Sequence, residues 1–295
     1  MPGRRNDAGA GRQHAHHAYT DRLPTPAECT LRLLLDRHGV ETPDAPFAVF
    51  AQTLETWTYR DVLHDVRRFA AVLTALAVRP GDHVAMWLPT GKFALTAWFA
   101  INYVGAVFVP LNIAYRGRLL EHALALSDAR VIFVHTSLRD RLMEVDTASI
   151  EVLISEKGEL THLRGAPPPA ERFEDLAELG AREAPEGLAP QPWDTQALIF
   201  TSGTTGPSKA VLVTYAHLVV AARNHPFRWA ADERGLLYGP LFHISGISPV
   251  IRAIASGGSV AVLERFSTDT FWSDVRRTGA TVTSLMGSLG TFLLS

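Results

Sequence analysis

The chain has 295 residues, of which 47% are hydrophobic and 20% charged, an ordinary globular composition with enough length for a large core. A formal net charge of -2 supplies no electrostatic footprint for nucleic acid or an anionic membrane surface. The single cysteine, Cys29, excludes an intrachain disulfide and suits a reducing, cytoplasmic setting.

The first ~20 residues are polar and rich in Gly, Ala, Arg and His. They read as a disordered tail over 1–28 that also holds Cys29 at its edge. Arg4-Arg5 is followed by no apolar stretch and so is no export signal. His14, His16 and His17 have no second ligand cluster to accompany them.

Phe47–Phe50 and Thr56–Tyr59 predict a hairpin. Thr58 and Asp61 then stand at capping-box spacing. Val62, Val66, Phe69, Leu73 and Leu76 alternate steps of four and three, one apolar stripe of a helix. Arg79-Pro80-Gly81-Asp82 ends it, and His83–Leu88 reads as a buried strand.

Phe93–Leu111 is the best candidate for a membrane span, but Asn102, Gly105 and Pro110 interrupt it. A helix over Lys92–Val104 followed by a strand over Val107–Val109 explains it better. The alternation continues with a helix at Arg116–Ser127, a strand at Val131–Val134, a helix near Leu138–Val145 and a strand at Val152–Ser155. Strands separated by helices imply parallel pairing with right-handed crossovers.

Residues 156–193 are charged, include Pro167-Pro168-Pro169, and predict one weak helix around Glu171–Leu179 within a surface excursion or connector. A second α/β run follows: strands at Ala197–Phe200 and Ala210–Val213, a helix at Ala216–Asn224, a strand at Leu236–Tyr238 and a helix at Gly246–Ala255. Strand Ser259–Leu263, helix Thr270–Thr278, strand Thr281–Leu285 and a helix from near Ser288 complete it. These runs predict a first α/β subdomain over 29–190 and the start of a second over 191–295. The last apolar helix carries no cap or polar stop, which reads as truncation, with sheet edges left exposed to aggregation.

The chemistry sits in Phe200-Thr201-Ser202-Gly203-Thr204-Thr205-Gly206-Pro207-Ser208-Lys209-Ala210, between two predicted strands. Gly203 and Gly206 let backbone N–H groups approach phosphate oxygens closely. Thr201, Ser202, Thr204 and Thr205 add hydroxyl donors, Lys209 adds a mobile cation, and no acidic side chain repels an anion. The alternative for such a segment is a plain flexible loop. Its spacing is not that of a Walker loop or a dinucleotide fingerprint, and Ser202 and Ser245 both lack the G-x-S-x-G setting of a hydrolase nucleophile.

This segment resembles the phosphate-binding signature of the adenylate-forming, AMP-binding superfamily, which includes acyl-CoA synthetases, luciferases and peptide-synthetase adenylation domains. It departs from the family's S-G-T-T-G-x-P-K-G at Ser208 and Ala210. Leu88-Pro89, Gly105-Ala106-Val107 and Val109-Pro110-Leu111-Asn112 resemble the family's amino-terminal subdomain. Tyr115-Arg116-Gly117 through Leu120-Glu121-His122 is similar to the carnitine/crotonobetaine-CoA ligase-like branch. Pro240-Leu241-Phe242-His243 resembles the segment lining the acyl pocket.

The resemblance implies a multi-layer α/β large domain with parallel-rich sheets flanked by helices, truncated here. It implies ATP-dependent activation of a small carboxylic acid to an acyl-adenylate, then a thioester with coenzyme A. It assigns Lys209 and Thr204 to catalysis, and Thr201, Ser202, Gly203, Thr204, Thr205, Gly206 and Lys209 to the nucleotide. Thr205 is assigned to Mg2+, and Phe242, His243 and Gly246 to the acyl substrate. Family members are longer, so a carboxy-terminal catalytic domain is expected to be absent and the fragment inactive by itself. The alternative is a non-catalytic nucleotide-binding remnant or interaction protein of the same fold. Asp194 and Asn112 read as structural, and Arg116 as a surface charge at a helix start.

Overall fold

The computed structural model describes residues 23–147, 149–182, 189–201, 208–224, 229–285, 287 and 289–294. In chain order the elements are α1 (Pro26–Cys29), α2 (Leu31–Glu41), β1 (Pro46–Phe50), β2 (Thr56–Thr58), α3 (Tyr59–Ala75), β3 (His83–Trp87), α4 (Lys92–Tyr103) and β4 (Val107–Pro110). Then come α5 (Gly117–Ser127), β5 (Val131–Val134), α6 (Thr136–Met143), β6 (Val152–Ser155), β7 (Leu160–His162) and α7 (Phe173–Arg182). The rest are β8 (Thr195–Thr201), β9 (Lys209–Thr214), α8 (Tyr215–Arg223), β10 (Arg234–Leu237), α9 (Ile244–Ser256), β11 (Ser259–Val262), α10 (Phe271–Thr278) and α11 (Leu289–Leu294).

The strands form two sheets. One has seven strands in the order β7-β6-β5-β3-β4-β8-β9, the other four in the order β10-β11-β1-β2. β6, β5, β3, β4 and β8 run parallel, as do β10, β11 and β1, while β7, β9 and β2 are antiparallel additions at the edges. Successive side chains point to opposite faces. Thus Val84 and Met86 of β3 join the largest core cluster, and Ala85 and Trp87 a second. Val260 and Val262 of β11 likewise join the first cluster, and Ala261 a third. The layers follow from this: α5 and α6, the seven-stranded sheet, the layer of α2, α3, α4, α8 and α9, the four-stranded sheet, then α10.

Each helix takes its place through its pattern. At α3 the Thr58 hydroxyl accepts from the Asp61 amide at 3.2 Å, and the Asp61 carboxylate accepts from the Thr58 amide at 3.0 Å, a reciprocal capping box. The Thr58 hydroxyl also donates to the Asp61 carboxylate at 2.7 Å, and this bond with that from the Thr58 amide holds the carboxyl below the usual carboxylate range. Ala94 through Tyr103 of α4 are buried all round, as a helix sandwiched between two sheets requires. No helix among the described residues is long and apolar enough to cross a membrane.

Several expectations need correction. Cys29 is not in a tail: it is buried at the end of α1, ahead of the buried Leu31, Leu34 and Leu35, and burial pushes its thiol up to about 11. Residues 1–22, with His14, His16 and His17, lie outside the described residues. Segment 156–193 is no mere excursion, since β7 extends the sheet and α7 buries Phe173, Leu176 and Ala177. Its Gly180 sits where a Cβ would fall 1.8 Å from the Ala71 carbonyl oxygen of α3, so only glycine permits this approach. The expected strand at Thr281–Leu285 is a single bridge, Val282 beside Gly235.

The sheets are not divided at residue 190. β1 and β2, from within 29–190, pair into the sheet of β10 and β11, while β8 and β9, from within 191–295, complete the larger sheet.

Candidate functional site

β8 and β9 form an antiparallel hairpin with Thr201 opposite Lys209 and Phe200 opposite Ala210. Phe200 and Ala210 pack against the second core cluster, so one face of the hairpin is anchored. The alternate residues Thr201 and Lys209 are exposed. The Thr201 hydroxyl donates to the Lys209 carbonyl at 3.4 Å. Of the residues assigned to the nucleotide, the structure therefore brings Thr201 and Lys209 together. Ser202, Gly203, Thr204, Thr205 and Gly206 lie outside the described residues.

Two contacts that the motif does not reveal hold this hairpin. His122 of α5 meets the Ser208 carbonyl through Nε2 at 3.0 Å, tying the outgoing flank of the loop to a helix. Asn102, at the end of α4, is buried and donates through Nδ2 to the Gln196 carbonyl at 2.9 Å and the Ala106 carbonyl at 3.1 Å. Its Oδ1 accepts from Trp98 Nε1 at 2.9 Å and from Gln196 Nε2 at 3.3 Å. This network fixes the start of β8 against the end of α4. The signal for it was present in sequence, a lone amide in an otherwise apolar helix.

β8 is parallel to β4, so its loop leaves the carboxyl edge of the sheet, where ligands of open α/β sheets bind. The carboxyl ends of both sheets open onto a cleft of about 300 Å³, lined among others by Phe50, Lys92, His135, Glu156 and Glu264. Burial pushes the Glu156 carboxyl up, but hydrogen bonds from the Thr136 hydroxyl and amide outweigh it and leave the group below its ordinary range. Of the nominated residues that are described, none lines this cleft.

The acyl-pocket candidates follow β10. His243 is the N-cap of α9: its Nδ1 accepts from the Ser245 amide at 3.2 Å and lies 2.9 Å from Ser245 Oγ. The imidazole is exposed. Phe242 is half-buried, and Gly246 is buried where a Cβ would stand 2.3 Å from the Pro240 carbonyl oxygen. The Tyr238 hydroxyl donates to the Ser284 carbonyl at 2.5 Å, holding the bridge segment beside β10. Asn112 and Asp194 are structural: Asn112 Oδ1 accepts from the Ala114 amide at 2.9 Å, and Asp194 Oδ2 from the Gln191 amide at 2.7 Å. Arg116 is the exposed residue before α5. Among the described residues no group of three or more His, Cys, Asp or Glu is placed to hold a metal, and Thr205 lies outside them.

Two parallel-rich sheets flanked by helices, with a hairpin that sets Thr201 opposite Lys209 at the carboxyl edge, make up the fold of this chain. The chain belongs to the AMP-binding enzyme family, which it matches over residues 35–295. It is 29% identical over 282 residues to a sulfoacetate–CoA ligase of Cupriavidus necator, covering 90% of this chain and 51% of that one. It is 30% identical over 237 residues to a crotonobetaine/carnitine–CoA ligase of Salmonella choleraesuis, covering 77% and 44%. The fold matches the ATP-bound crystal structure of MatB from Rhodopseudomonas palustris with a TM-score of 0.73 at 24% identity, covering 90% and 51%. The chain thus spans about half the length of the curated relatives it matches.

Proposed function

We propose that this chain serves a cytoplasmic acyl-CoA ligase that converts a carboxylic acid, ATP and coenzyme A into a thioester, AMP and pyrophosphate. The observation that carries the reading is the hairpin that sets Thr201 opposite Lys209 around the Gly/Thr-rich segment at the carboxyl edge of the sheet. The relatives named as CoA ligases support it. A carboxylate is a poor acyl donor because its leaving group would be oxide. Attack of its oxygen on the α-phosphorus of ATP forms the acyl-adenylate as the bond to pyrophosphate breaks. Attack of the CoA thiolate on the acyl carbon then expels AMP.

The first step needs positioning and neutralisation of phosphate charge. In this reading Lys209 supplies the cation, and Thr201, Ser202, Thr204 and Thr205 supply hydroxyls beside the backbone amides of Gly203 and Gly206. The described residues flanking the loop present hydroxyls and a cation but no carboxylate, so they do not by themselves fit Mg2+. Phe242, His243 and Gly246 would border the acyl group.

The test is carboxylate-dependent exchange of labelled pyrophosphate into ATP by the purified full-length protein, with a panel of aliphatic, aryl and betaine-type acids. Lys209→Ala should lower the exchange rate about 10²–10³-fold, the effect of removing one preorganised charge-stabilising donor. Exchange that is undiminished in this variant refutes the role of the hairpin. No exchange with any acid, alongside retained ATP binding, would favour the non-catalytic nucleotide-binding reading.

A further inference from the structure

We propose that the groove between α2, α3 and α7 is a binding site for a free, single-headed anionic amphiphile, separate from the hairpin at the carboxyl edge. On α3, Arg60, His64, Arg67 and Arg68 stand at i, i+4, i+7 and i+8, one face of the helix, opposite the buried stripe of Val62, Val66, Ala70 and Leu73. That face is not bare. Small residues from both neighbours, Gly39 of α2 and Ala177 and Ala181 of α7, leave room beside it for a groove of about 360 Å³. Leu63 and Ala71 of α3 complete an apolar lining.

Gly39 is itself close-packed, since a Cβ there would lie 2.4 Å from Leu63 Cδ2. The floor is therefore formed by tight packing between α2 and α3. The volume falls at the lower end of ligand pockets, which run about 300–1,000 Å³.

Among the described residues, three arginines and a histidine line the groove and no carboxylate does. The acids that neighbour them pair at the rim: Asp44 with Arg60 at 2.9 Å, Asp36 with Arg67 at 2.8 Å and Glu174 with Arg68 at 3.7 Å. Such exposed pairs contribute little and leave guanidinium donors for a further anion. Arg67 is held twice, by Asp36 and through the Tyr103 hydroxyl at 3.1 Å, and so forms a rigid wall, while Arg60 and Arg68 are the adjustable cations. An apolar floor with cations along one wall suits a short hydrocarbon body carrying one carboxylate-like head.

The proposal does not rest on the ligase reading, and its test does not use the adenylation reaction. The purified protein is titrated calorimetrically with octanoate, with octyl glucoside below its micelle threshold as the uncharged counterpart, and with phosphatidylglycerol vesicles. Octanoate should give a saturable one-to-one component that octyl glucoside does not. That component should weaken about tenfold in Arg60→Gln/Arg68→Gln, the loss of one charge-assisted contact. It should vanish in Ala181→Phe, whose exposed ring fills the groove, while the urea unfolding midpoint stays as in the parent. Three results overturn the proposal: octanoate binding that neither variant changes, equal binding of octyl glucoside, or binding to vesicles alone.

Discussion

Replacing Asn102 with leucine tests how the core of α4 positions the strand that carries the loop. The side chain is fully buried, so nothing but protein can satisfy the groups it leaves behind. Four hydrogen bonds disappear: those to the Ala106 and Gln196 carbonyls, and those from Trp98 Nε1 and Gln196 Nε2. Each buried donor or acceptor left without a partner costs about 1–3 kcal/mol. The losses share one side chain and do not add fully. The leucine recovers part of the deficit, roughly 1–2 kcal/mol, through its apolar surface.

A net destabilisation of about 2–4 kcal/mol follows, among the larger effects of single substitutions. Urea unfolding followed by tryptophan fluorescence reads it as a lower midpoint with an unchanged slope. Tyr215→Phe is the control, because it removes only the 3.4 Å bond from its hydroxyl to the Asn102 carbonyl and should cost well under half as much. Amide exchange in β8 should also accelerate more in Asn102→Leu than in the control. A loss below ~1 kcal/mol, or β8 protection unchanged, refutes the argument that this amide pins the strand.

Gly246→Ala places a Cβ 2.3 Å from the Pro240 oxygen, a backbone atom that cannot swing aside, and should lower the urea-derived stability by about 1–3 kcal/mol. Gly290→Ala on α11, with nothing within 4 Å, should instead be neutral or slightly stabilising in the same assay. His38 is buried with Nε2 2.8 Å from the Ile254 carbonyl, and burial holds its imidazole below the ordinary value of 6.5. The unfolded chain therefore binds a proton before the folded one does, so stability is present above that value and falls as pH drops below it towards the folded value. His38→Gln should flatten this part of the stability–pH curve, and an unchanged slope would count against the assignment. Cys29, with its thiol pushed up to about 11, is about 0.1% thiolate at pH 8 and should react with an aromatic disulfide reagent at least a hundredfold slower in the native than in the unfolded protein.

What could be read from the chain depended on whether the signal was local. Val131–Val134 and Val152–Ser155 are short apolar runs whose identity as buried strands needs no partner to be visible, and both appear with those bounds. The helix α3 announced itself through period and cap together. By contrast α7 hid its buried positions, Phe173, Leu176 and Ala177, among Glu174, Asp175 and Glu178, because a helix at a sheet's flank needs apolar residues on one side only. Sheet membership was harder still. β1 lies next to β11 through pairing of Ala48 with Val260, across more than two hundred residues, and no local pattern states which of two similar sheets an apolar run will enter. Each sheet accordingly draws strands from both halves of the chain. At the site, donor chemistry was visible in residues 201–209, but the clamps His122 and Asn102 act through tertiary contacts with Ser208 and Gln196.

The placement of the loop also explains its composition. In dinucleotide and Walker sites the phosphate rests on the first turn of a helix, whose N–H groups and macrodipole attract the anion. Here the segment after β8 returns as β9, an antiparallel strand at the edge of the sheet, and α8 begins only after Thr214. Strand dipoles largely cancel. In the reading proposed above, positive potential at this edge comes from side chains and locally oriented amides, and the lysine and the dense set of hydroxyls in residues 201–209 would supply it. On this account Lys209→Arg should retain part of the exchange activity and Lys209→Ala very little, and equal loss in both would show that length and placement, rather than charge, limit the step.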